Sequence, residues 1–227
     1  MKKVLLLAVF VVATSVAGWA GTCSTGTLAS YEALGSGGCT IGFLIFNNFQ
    51  NYTSSPTGLP PSASQVTLNF FSGSETGFTM TASPNWTAGI GAIGDYSFNY
   101  TVSVNAALCP KCTINDALLA MTAQVASGGF MAAVSENNLN APPNVDLSVS
   151  TPPQNCFPAA CVDTLNNFSA TSLTMFKNIF VDGATIYSIT QEFSVTPEPA
   201  SLALLGTALF GTGLLLRRRL TKSTSEK

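Results

Sequence analysis

The chain has 227 residues, enough for one sizeable domain. It contains no histidine, which excludes Ser-His-Asp and Cys-His catalysis as well as His-ligated zinc or iron. Between Gly21 and Thr196 only Lys111 and Lys177 are cationic; two cations against nine acids leave that stretch at −7, a charge that repels phosphate backbones and excludes a nucleic-acid partner.

The N-terminus has the three parts of a secretory signal. Lys2 and Lys3 form the charged start, residues 4–16 form an apolar run interrupted by Thr14 and Ser15, and Ala17 and Ala20 each end a small-x-small cleavage pattern. Cleavage after Ala20 is expected, which makes residues 1–20 a signal peptide read by the secretion translocon and signal peptidase.

The region that follows is punctuated like a β protein. Polar loops are expected at 51–64 and 137–144, each with a Pro-Pro pair. Residues 66–72 and 77–82 are rich in β formers. In 95–105, Tyr96, Phe98, Tyr100, Val102 and Val104 alternate with polar residues, the pattern of a half-buried strand. Residues 119–125 alternate in the same way and lead through Ser127-Gly128-Gly129 to Phe130, Ala132 and Val134, which reads as a hairpin. A helix over 115–125, capped by Asn115, is the rival there. The clearest hairpin signal is Asp182-Gly183 between 172–181 and 184–193, a type I′ turn pair. The fold class expected for 21–196 is all-β: an antiparallel β-sandwich, Ig-like or jelly-roll-like.

All six cysteines lie in this exported stretch: Cys23, Cys39, Cys109, Cys112, Cys156 and Cys161. An even number in an oxidising compartment reads as disulfides, and nearest-neighbour pairing is expected. Cys109-Pro110-Lys111-Cys112 has the spacing of a redox dithiol, but that motif normally opens a helix in an α/β fold. Cys109, Cys112, Cys156 and Cys161 are a zinc set only in a reducing compartment. No Asp-x-Asp-x-Asp-Gly loop is present, so no metal or cofactor is expected. No catalytic residue stands out. The acids are dispersed and read as solvated surface groups, although two distant carboxylates converging as in a glycosidase would make a hydrolase. Trp86 and Tyr52 are candidates for stacking on sugars.

The C-terminus reads Pro197-Glu198-Pro199, then an uncharged run to Leu216, then Arg217-Arg218-Arg219. A helix over 200–216 spans ~26 Å, adequate for a bilayer core of ~30 Å once the arginines reach the interface. By the positive-inside rule the arginines stay cytoplasmic, which places 21–196 outside and agrees with the signal peptide. Motif, helix and basic cluster, in that order at the extreme terminus, resemble the PEP-CTERM sorting signal of Gram-negative bacteria, here over residues 197–227. The resemblance implies an exosortase-type membrane protease as partner. It further implies a precursor anchored in the inner membrane, then display at the cell surface or release, in organisms that make exopolysaccharide and biofilm matrix. The reading is thus a non-enzymatic exported surface or matrix protein. A carbohydrate-binding module for the organism's own exopolysaccharide and a secreted hydrolase with paired carboxylates are the alternatives.

Overall fold

A computed structural model describes residues 21–55, 60–140, 142–152 and 156–197. The expected signal peptide (1–20), Glu198, Pro199, the membrane helix (200–216) and Arg217, Arg218 and Arg219 lie outside the described residues. Among those described, no helix is long and apolar enough to cross a membrane.

Two twisted sheets pack face to face around one apolar core. The strands, in chain order, are β1 (Gly21–Thr22), β2 (Gly26–Thr27), β3 (Cys39–Ile41), β4 (Leu44–Ser55), β5 (Val66–Ser72), β6 (Thr76–Ala82), β7 (Trp86–Thr87), β8 (Ile93–Val104), β9 (Cys112–Val125), β10 (Met131–Asn138), β11 (Asp146–Thr151), β12 (Cys161–Ala170), β13 (Ser172–Asp182) and β14 (Ala184–Pro197). The first sheet has the order β1-β3-β4-β8-β13-β10-β11; the second has β12-β9-β14-β6-β5-β2, with β7 beside β14. Pairing is antiparallel except for β1 with β3. One short helix, α1 (Leu28–Leu34), is capped by Thr27, whose side chain accepts from Ser30 N–H, and buries Leu28 and Tyr31 over one end of the core.

Alternation builds the core. In β8 the inward set is Tyr96, Phe98, Tyr100 and Val102, as its period-two pattern predicts. β5 occupies the predicted residues, and β9 is a strand rather than the rival helix. The expected loop at 51–64 is overturned in its first part, because β4 runs to Ser55. Two register shifts against β8 fall beside Asn48 and Asn51, both at positive φ, and these bulges break the alternation that would have marked a strand.

Both expected hairpins are overturned. β9 lies in the second sheet and β10 in the first; β13 lies in the first and β14 in the second. Ser127-Gly128-Gly129 and Asp182-Gly183 are therefore corners at which the chain changes sheets. The reason is visible in the backbone. Ala126 N–H donates to Gly183 C=O and Phe130 N–H to Asp182 C=O, each at 2.9 Å, so each corner satisfies the other's polar groups. Gly183 has φ +59°, and a Cβ there would come within 2.5 Å of Gly129 Cα.

The disulfides are Cys23–Cys39, Cys109–Cys112 and Cys156–Cys161. The first ties β1 to β3 at a sheet edge. The second closes the turn from β8 to β9, with Cys112 opening a strand rather than a helix, and the third closes the approach to β12. With Cys156 bonded to Cys161, the four-cysteine zinc set does not exist as a set.

Candidate functional site

The middle of the sandwich is where alternation and chemistry disagree. The inward face of β13 reads Leu173, Met175, Lys177, Ile179 and Val181; that of β10 reads Ala132, Val134, Glu136 and Asn138. Glu136 and Lys177 sit opposite each other in the β10–β13 ladder. On the facing sheet, β14 places Gln191 inward between Ile189 and Phe193. Lys177, Glu136 and Gln191 are all 0 % exposed.

The three side chains meet with a fourth. Lys177 Nζ donates to Glu136 Oε2 at 3.0 Å and to Gln191 Oε1 at 3.1 Å. Tyr100, from β8 on the other side of β13, donates its hydroxyl to Glu136 Oε1 at 2.5 Å. The surroundings are dry and aromatic. The Tyr100 ring stacks on Phe49 at 5.4 Å, meets Phe78 edge-on at 5.4 Å, and leans on Phe98 at 6.0 Å. Phe78 and Leu119 flank Gln191 in the ladders on either side of it. β6 approaches closely here because Gly77 has no side chain; a Cβ would overlap Gln191 C=O.

Burial sets the electrostatics. Loss of solvent pushes the Glu136 carboxyl up, with Lys177 and Tyr100 opposing, and pushes the Lys177 amine down, with Glu136 opposing. Burial, then the Glu136 charge, drives the Tyr100 phenol well above its ordinary value. Both members of the pair are thus shifted toward their uncharged forms. One polar atom is left over: Gln191 Nε2 is buried with no hydrogen-bond partner, an arrangement that costs about 1–3 kcal/mol when nothing compensates it.

Glu136 is accordingly no solvated surface acid. A second acidic group does lie outside. Glu75, Asp116 and Glu192 gather on the outer face of the second sheet, where Ser194 Oγ donates to Glu75 Oε2. Burial, then the neighbouring Glu75 charge, raises both Asp116 and Glu192. Among the described residues no His, Cys, Asp or Glu group is arranged to hold a metal ion. Trp86 is 0 % exposed, so it fills core rather than offering a sugar platform. Tyr52 is half-buried, with its hydroxyl donated to Pro61 C=O.

The sorting residues adjoin the sandwich directly. β14 continues past Phe193 as a partner of β9 through Val195↔Ile114, Thr196↔Thr113 and Pro197↔Cys112. The family profile described as the PEP-CTERM protein-sorting motif matches residues 195–219, so the match begins inside β14. The chain carries a PEP-CTERM protein-sorting motif. This motif is the address of an exported protein, and it covers the C-terminal region alone. No curated protein matches the chain. Several solved structures are similar at low level. One is TmCBM61 in complex with beta-1,4-galactotriose (TM-score 0.32, 10 % identity, 66 % of this chain and 90 % of that one). Another is the enzymatically active domain of tailspike protein 4 of bacteriophage CBA120 (0.28, 16 %, 65 % and 19 %). A third is a family 11 carbohydrate-binding module from Clostridium thermocellum in complex with a mixed-linked tetrasaccharide (0.27, 7 %, 68 % and 90 %).

The buried group was missed in the sequence, although its signal was there. A lysine and a glutamate at the inward positions of strongly alternating strands, in a stretch with only two cations, cannot both be solvated.

Proposed function

We propose that this PEP-CTERM protein is a non-enzymatic component of the cell surface or extracellular matrix. A disulfide-braced β-sandwich is delivered through the inner membrane, cut by an exosortase-type protease at the Pro197-Glu198-Pro199 region, and displayed or released beside exopolysaccharide. The observation that carries this reading is the sorting-motif match at 195–219, whose first residues are the last of β14. Residues before Pro197 are engaged in the β9–β14 ladder, so the cut belongs at or beyond Pro197, where it leaves the sandwich whole.

The test is intact mass and cell fractionation of the chain in a host with the sorting protease and in one without it. A product that ends at or just after Pro197, outside the cell only when the protease is present, supports the reading. The same uncut membrane-bound product in both hosts overturns it. Pull-down of the mature product on the host's own exopolysaccharide then separates a structural matrix protein from a glycan binder.

A further inference from the structure

We propose that Lys177 and Gln191 become joined by an intramolecular isopeptide bond, formed inside the folded sandwich by attack of Lys177 Nζ on the Gln191 carboxamide carbon, with Glu136 moving the proton and ammonia leaving. The inference does not rest on the sorting reading.

An amine and a primary carboxamide do not react in water, because the amine is protonated, the encounter is rare and the leaving nitrogen is a poor one. The core of this sandwich removes each obstacle. Lys177 Nζ is held 3.1 Å from Gln191 Oε1, and the carbon it must reach is bonded to that oxygen. Both side chains come from strand interiors, on β13 and β14, so their approach is fixed by packing rather than by chance. Glu136 Oε2 lies 3.0 Å from the same Nζ, in position to take a proton from the ammonium and leave a free amine. Complete burial shifts both the amine and the carboxyl toward their uncharged forms, which brings the free amine within easier reach. Tyr100 holds the other Glu136 oxygen and keeps the carboxyl turned toward the reacting pair.

The step balances without any further reactant. A bond forms between Nζ and the Gln191 carboxamide carbon, and the bond from that carbon to Nε2 breaks. The amine loses one hydrogen on becoming an amide, and Glu136 delivers that proton to the departing nitrogen, which leaves as ammonia. No redox change occurs. Nε2, the atom that must leave, is the one polar atom of the group that nothing in the core holds.

A structural ion pair alone accounts for these observations less completely. It keeps a lysine and a glutamate in a dry core and leaves Nε2 unpartnered. The amide product removes the amine charge and the orphaned nitrogen together, and its N–H still faces Glu136. The bond also crosses between the sheets, fastening the centre of the first to the centre of the second.

The deciding measurement is the intact mass of the folded full-length chain, purified from its host, with the disulfides reduced. A mass one ammonia below the processed sequence, with a digest containing a branched peptide that joins the segments around 177 and 191, supports the proposal. The full sequence mass, or an ammonia deficit traced to an asparagine or an N-terminal residue, overturns it. Lys177→Met and Gln191→Leu should each restore the full mass. Glu136→Gln should restore it while both reacting groups remain, and persistence of the branched peptide in that variant would overturn the proton-relay role. Since the wild-type mass is decisive by itself, a variant that fails to fold leaves the outcome intact.

Discussion

Glu192 and Asp116 share the outer face of the second sheet with Glu75, and the fold makes both easier to protonate than they are in the unfolded chain. The sign of the consequence follows from proton counting. Between the ordinary carboxylate range and the raised folded values, the native state binds more protons than the unfolded one, so stability falls as pH rises through that window and is fullest below it. Glu192→Gln removes one contributor. Its urea midpoint, compared with wild type across that window, should decline less with rising pH; an identical pH slope in the two proteins would show that this carboxyl is not perturbed. The inward face carries a second lesson at this scale. Lys177, Glu136 and Gln191 sit at core positions that the alternation of their strands announces, and a periodic reading finds them once polar residues are allowed onto a buried face. What alternation could not supply is that all three converge, because they come from β13, β10 and β14 on two sheets, and only the completed sandwich brings them together.

Corners and edges carry the element-scale predictions. Gly183 combines a left-handed backbone with direct contact against Gly129, so Gly183→Ala adds strain and overlap at one point and should cost about 2 kcal/mol or more by urea unfolding. Gly73→Ala, where no atom lies within 4 Å and φ is not positive, should be close to neutral. Opening Cys23–Cys39 by a double Cys→Ala change releases a loop of sequence separation 16 and should lower stability by about 3 kcal/mol; unchanged stability would mean that the β1–β3 edge is held by other contacts. Strand positions at 66–72 and within 95–105 were legible in the sequence because apolar residues recur along one face. Sheet membership was not. Asp182-Gly183 has the local chemistry of a hairpin turn, but its backbone groups bond to Ala126 and Phe130, more than fifty residues earlier, and long-range partners decide where β14 goes. β4 escaped notice for a different reason, its bulges at Asn48 and Asn51.

On the scale of the whole molecule, the order of the strands in space runs against their order in sequence. β13 fills the middle of the first sheet between β8 and β10, and β14 fills the middle of the second between β9 and β6. A chain that ends after Asp182 therefore lacks a central strand and should remain protease-sensitive under conditions in which the chain through Pro197 resists. On the export route proposed above, N-terminus first, this arrangement would act as a clock. β6 and β9 emerge early and wait with open edges, which invite wrong partners, until the final strand has passed through the channel. On that route the sandwich closes only once β14 is across, and β14 is the strand that leads into the sorting motif.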